Sequence, residues 1–163
     1  MTEGDEEYDA ELEKVAQRLL APRDHAVFEF KAKLRKRGFE NQRIETLIAL
    51  YQKRGWLDDQ RFADRQAELL ARDLWGRNQI RKKLQKRGVS ACLISAAIAK
   101  LDVDWMGNAK IRAHKKCEME SSKGRERAFR HLIQRGFQNE IVRKIIFLNR
   151  NLLEKSVLFT KEK

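Results

Sequence analysis

The chain has 163 residues, 37% charged and 42% hydrophobic, and carries 36 Lys and Arg against 24 Asp and Glu, a formal net charge of +12. One proline and eight glycines leave helices largely uninterrupted, and few stretches alternate as strands do. So basic a chain points to a polyanionic partner. No apolar run approaches the roughly 20 residues of a membrane span, the acidic start is unlike a secretion signal, and two cysteines outside any C-x-x-C pair fit a reduced, cytoplasmic setting.

The charge is unevenly spread. The first thirteen residues hold seven acids and no Lys or Arg; from Lys14 onward 36 bases face 17 acids, a balance of +19. Residues 1–9 are expected to be a disordered acidic leader. Three segments then share one pattern. Leu34-Arg35-Lys36-Arg37-Gly38-Phe39, Leu84-Gln85-Lys86-Arg87-Gly88-Val89 and Leu132-Ile133-Gln134-Arg135-Gly136-Phe137 each run from a leucine to a glycine and an apolar residue. Further columns follow: Ile44, Ile94 and Val142, then Ile48, Ile98 and Ile146. The arginine before each glycine complements the negative end of a helix. The glycine takes the left-handed conformation that ends it.

Each repeat is therefore predicted to hold a leading helix and a helix-glycine-helix hairpin. The repeats cover 10–57, 58–103 and 104–150, followed by a tail at 151–163 of unassigned order. The first leading helix carries Leu12, Val15, Ala16, Leu19 and Leu20. The second runs from about Asp59 to Leu74 with Phe62, Leu69 and Leu70 inward. The third starts near Asp104 and carries Trp105, Ala109 and Ile111. Residues 118–124 read as a loop. The predicted fold class is all-α, an elongated, curved array of three tandem three-helix repeats, helix-turn-helix-like, as a monomer.

The middle repeat has the clearest charge pattern. From Leu74 to Leu101 there is no acid, while Arg77, Arg81, Lys82, Lys83, Lys86, Arg87 and Lys100 are basic. With Ile80 and Leu84 inward, at about 100° per residue, Lys82 and Lys86 point away from the core and Arg81 and Lys83 flank them. The equivalent outward positions are Ala32 and Lys36 in the first repeat, and Arg130 and Gln134 in the third. If this face meets phosphates, about four to six contacts give a salt slope near −4 to −5.

Asp58 and Asp59 are adjacent, so they suit helix capping better than the opposed pair of acid–base chemistry. Trp56 and Phe62 are expected beside them in the core. Trp75 is expected to fill a helix-end contact, with base stacking as the alternative. His114 and Cys117 share a helix face but lack the further ligands zinc needs, so no metal or other cofactor is expected.

Read together, these residues resemble the RecX family. Gly55-Trp56-Leu57-Asp58-Asp59-Gln60-Arg61-Phe62-Ala63 is similar to its G-[YFW]-L-D-D-x-R-F-A signature. Gly76, Ile80-Arg81, Leu84 and Lys86-Arg87-Gly88-Val89 are similar to its G-x-x-x-I-R-x-x-L-x-x-[KR]-G-[IV] stretch. Asp104-Trp105, Lys115-Lys116 and Arg135-Gly136-Phe137 match the third repeat, in which Cys117-Glu118 replace the family's aromatic and glycine. The signature positions are thus Gly38, Gly55, Trp56, Leu57, Asp58, Asp59, Phe62, Ile80, Leu84, Gly88, Trp105, Gly136 and Phe137.

The resemblance implies a non-enzymatic negative regulator of RecA. Such a protein lies along the groove of the RecA–single-stranded DNA filament and inhibits ATP hydrolysis, strand exchange and coprotease activity, within DNA repair, homologous recombination and the SOS response. The expected contacts are Lys36, Arg77, Arg81, Lys82, Lys83, Lys86, Arg87, Arg112, Lys115, Arg127 and Arg130. Single-stranded DNA is the expected nucleic acid, with duplex left open. The alternative is a general helical DNA-binding protein independent of RecA, which the scarcity of base-reading side chains beyond Asn78, Gln79 and Gln85 disfavours.

Overall fold

The computed structural model describes residues 3–115, 119 and 121–147, and every regular element among them is a helix. In chain order these are α1 (Glu3–Leu20), α2 (Val27–Lys36), α3 (Asn41–Lys53), α4 (Asp59–Arg72), α5 (Arg77–Lys86), α6 (Ala91–Ala99), α7 (Trp105–His114) and α8 (Ser122–Gln134). A ninth, α9, occupies 139–147. None is long and apolar enough to cross a membrane. The chain divides into two compact units. The first takes residues up to Gln66 together with Leu84–Ala99; the second takes Ala67–Lys83 and the residues from Lys100 onward. The middle repeat is thus shared, with α4 and α5 each contributing to both units.

In the first unit, α1, α2 and α3 close around Leu12, Ala16, Phe30, Leu34, Ile44, Leu47, Ile48, Tyr51 and Leu57. The acidic leader is corrected here. From residue 3 it is helical, because its side chains find partners on the hairpin that follows. Asp5 and Asp9 both accept from the Arg43 guanidinium, the latter at 2.7 Å. The Tyr8 hydroxyl accepts from the Glu40 backbone N–H at 2.7 Å, and its ring meets Phe39 edge-on. Negative charge at the start of a helix adds to the same effect.

Two adjacent acids cap two different helices. Asp58 Oδ1 accepts from the backbone N–H groups of Gln60 and Arg61, at 2.8 and 3.0 Å, opening α4. Asp59 Oδ1 accepts at 2.9 Å from the N–H of Val27, which opens α2. Removing a cap costs about 1–2 kcal/mol. Asp58→Ala and Asp59→Ala are each expected to lower stability by about that amount in chemical denaturation. Asp59→Asn, which keeps the accepting oxygen, is expected to cost less than half as much.

Beside the α2 cap lies His25, 3% exposed. In the neutral ring Nδ1–H donates to the Arg23 carbonyl at 3.0 Å, and Nε2 accepts from the Lys33 ammonium at 2.8 Å. Burial, then the charges of Arg23 and Lys33, hold its pKa below the ordinary 6.5, against an opposing pull from Glu29. Below pH 6.5 the unfolded chain binds this proton more readily than the folded one, so stability falls with acid from 6.5 towards the lowered folded value. Melting temperature is expected to drop between pH 7 and 5.5, and His25→Gln is expected to flatten the curve in that window.

In the second unit, α7, α8 and α9 enclose Ala109, Ala113, Met119, Ala128, Leu132, Phe137, Val142 and Ile145. Asp104 caps α7 by accepting from Gly107 N–H, and Ser121 caps α8 by accepting from Gly124 N–H, both at 2.9 Å. Because Ser121 is the cap, residues 122–124 belong to α8 and not to a loop. The tail at 151–163, Lys116, Cys117 and Glu118 lie outside the described residues.

The repeated columns occupy equivalent places. Leu34, Leu84 and Leu132 are buried, as are Ile44, Ile94 and Val142. Gly38, Gly88 and Gly136 have φ of +89°, +82° and +84°. At Gly88 and Gly136 the paired hydrogen bonds of a Schellman turn are both present, Val89 N–H to Leu84 and Gly88 N–H to Gln85, and Phe137 N–H to Leu132 and Gly136 N–H to Ile133. Three apolar expectations are corrected. Trp56 is 47% exposed; Gly55, at φ +70°, swings the chain so that Leu57 takes the inward place and Trp56 lies on the ring of Tyr51. Leu69 and Ile111, at 44% and 48%, sit off the buried stripes set by Ala67 and Ala71 on α4 and by Ala109 and Ala113 on α7.

Candidate nucleic-acid interface

The sequence of α5, Arg77-Asn78-Gln79-Ile80-Arg81-Lys82-Lys83-Leu84-Gln85-Lys86, places two apolar residues one turn apart in a run otherwise polar or basic. Ile80 and Leu84 are buried at 0% and 1% exposure. A residue two places on is rotated by about 200°, so Lys82 and Lys86 stand opposite them. The start of the helix is fixed by backbone alone. Gly76 N–H donates to the Arg135 carbonyl at 2.8 Å and Asn78 N–H to the Gly136 carbonyl at 3.0 Å.

The cations predicted from sequence separate into two groups. Arg81, Lys82 and Lys86 are exposed, with no ion-pair or hydrogen-bond partner among the described residues. The other three on or beside α5, Arg77, Lys83 and Arg87, are engaged. Arg77 lies 5.0 Å from the centre of the Trp105 ring. Lys83 lies 4.2 Å from the centre of Trp75, which also carries Arg135 at 3.8 Å. Arg87 donates to the Gln66 side chain at 3.3 Å and lies over Phe62. Each such contact is worth about 0.5–2 kcal/mol. Arg77, Lys83 and Arg87, and Arg135 with them, thus act chiefly in holding the fold. Trp75 is filled by its two cations, so its ring is not offered for base stacking.

Away from α5, Lys36, Lys115 and Arg127 are exposed and unpaired among the described residues. Arg130 pairs with Glu126 at 3.6 Å, and Arg112 donates through Nε to His131 Nε2 at 3.2 Å. Sequence reasoning passed over Arg135 as a helix-end charge. Burial, then the neighbouring Arg112 charge, lowers its pKa, with Asp73 pulling the other way. It also passed over a cavity of about 530 Å³ in the second unit, lined by Asn78, Gln79, Lys82, Gln134, Gln138 and Asn139 among others. Its signal was present as amides at the ends of three helices, but only a tertiary contact gathers them. No group of three or more His, Cys, Asp or Glu suited to a metal occurs among the described residues.

Comparison with known proteins supplies the family. A family model described as RecX, second three-helix domain, matches residues 58–98. A regulatory protein RecX from Pasteurella multocida is 32% identical over 127 residues, covering 75% of this chain and 77% of the relative. One from Serratia proteamaculans is 31% identical over 155 residues, covering 80% and 92%. The fold matches a crystal structure of RecX from Lactobacillus salivarius with a TM-score of 0.75 at 18% identity, over 88% of this chain and 97% of that one.

Proposed function

The chain belongs to the RecX family of regulatory proteins, and from that membership we propose that it binds the filament RecA forms on single-stranded DNA and limits its activity. The observation that carries the reading is the outer face of α5. Three cations stand there unpaired, opposite two buried aliphatic residues, in a stretch without an acid. Unpaired side chains of one sign, facing water, form the footprint a phosphate-lined groove takes up. The engaged arginines and lysines around them keep the helix in place.

On this reading inhibition is steric and electrostatic. The chain occupies the groove, contacts phosphates and protein together, and hinders the rearrangements that accompany ATP hydrolysis and strand exchange. No bond is made or broken, no cofactor is needed, and the protein works in the cytoplasm. The repeats 10–57, 58–103 and 104–150 are the units that would track successive parts of the filament. The test is RecA ATPase on single-stranded DNA with the full chain titrated in. Progressive inhibition at micromolar protein and low salt is expected, and unchanged turnover would sink the reading.

A further inference from the structure

We propose that the amide-lined cavity of the second unit reads a nucleobase, accepting an unstacked base of a single strand beside the phosphate-contacting Lys82. This rests on the polyanion reading above and adds what that reading lacks, a means of touching the base as well as the backbone. At about 530 Å³ the cavity falls within the range of small-molecule sites. Asn78, Gln79 and Lys82 reach it from α5, Gln134 from the end of α8, Gln138 from the turn before α9 and Asn139 from its first position. No carboxylate lines it.

Each side-chain amide offers a donor and an acceptor in one plane, as a base edge does. Asn and Gln pair in this bidentate way with the N6 and N7 of adenine. Gln79 donates through Nε2 to the Gln134 carbonyl at 3.3 Å, which leaves its own oxygen to accept. Asn78, Gln134, Gln138 and Asn139 are exposed, and their side chains make no hydrogen bond among the described residues. Backbone bonds brace the walls. The Gly76–Arg135 and Asn78–Gly136 backbone bonds tie the start of α5 to the turn before α9. A site held by backbone loses little freedom on binding. An extended peptide would also satisfy amides, but only an acidic one would gain from the unpaired Lys82 with Arg81 beside it, whereas every nucleotide of a single strand brings a phosphate.

The experiment measures fluorescence anisotropy of the full chain with two labelled strands of equal length, oligo(dA) and an abasic strand with the same phosphates. Oligo(dA) is expected to bind about tenfold more tightly. Asn78→Ala with Gln138→Ala is expected to bring the two strands within about twofold, with melting temperature unchanged because both side chains are exposed. Gln138→Leu, which keeps bulk and loses the amide, should narrow the gap in the same direction. Lys82→Gln should weaken both strands alike and reduce the salt slope by about one. Equal binding of the two strands by the unaltered chain, or discrimination that survives the amide changes, overturns base reading and leaves phosphate binding standing. Absence of binding to either strand overturns both.

Discussion

Replacing Gly76 with alanine is expected to lower stability by about 3 kcal/mol, or about 10 °C in melting temperature for a chain of this size. A Cβ at this position would lie 2.2 Å from the Gly136 carbonyl carbon, and 2.3 Å from the Gly136 oxygen and the Phe137 nitrogen. All three are backbone atoms, so no rotamer can relieve the clash. The Gly76–Arg135 and Asn78–Gly136 hydrogen bonds, at 2.8 and 3.0 Å, would have to lengthen or break. Gly136→Ala should be at least as damaging. Its φ is +84° and its Cβ would meet the Gln79 nitrogen at 2.3 Å. Gly38→Ala is the control. It faces open space, so only the left-handed strain of about 1–2 kcal/mol applies. Equal losses at Gly38 and Gly136, read by thermal melting, would contradict this packing.

The second large effect concerns binding. Arg81→Gln, Lys82→Gln and Lys86→Gln combined are expected to weaken filament binding about a hundredfold at low salt, and to cut the slope of log affinity against log salt by about three. Melting temperature should hardly move, because the three side chains are exposed and unpaired among the described residues. Lys83→Gln and Arg87→Gln should behave in the opposite sense. Lys83 lies on Trp75, and Arg87 on Phe62 and Gln66, so their loss costs stability. These five cations are alike in sequence, and this contrast in two measurements separates them.

What could be read in the chain was whatever its helical period encodes. Leu34, Leu84 and Leu132, the column of Ile44, Ile94 and Val142 and the three left-handed glycines follow from spacings of three and four residues and are found in equivalent places, whereas in the last column Ile48 and Ile98 are buried but Ile145 takes the buried place of Ile146. What escaped depends on partners far along the chain. Asp59 lies in a capping turn, yet the helix it caps starts 32 residues earlier, at Val27. Gly76 reads as an ordinary helix boundary until Gly136 is seen against it. At the end of α4 the left-handed place is held by Leu74, at φ +58°, where no glycine marks the turn. The basic stretch was visible as composition, but which cations it leaves free depends on Trp75, Trp105 and Phe62, aromatic neighbours that periodicity does not assign.

On the function proposed above, α5 grips a negatively charged filament through cations held ready by the fold. The most direct test is the affinity of the full chain for RecA-coated single-stranded DNA and for naked duplex, followed across a range of salt. Tighter binding to the coated strand is expected, with a slope of about −3 or steeper from the three free side chains. Affinity indifferent to salt, or naked duplex held as tightly as the filament, would contradict it.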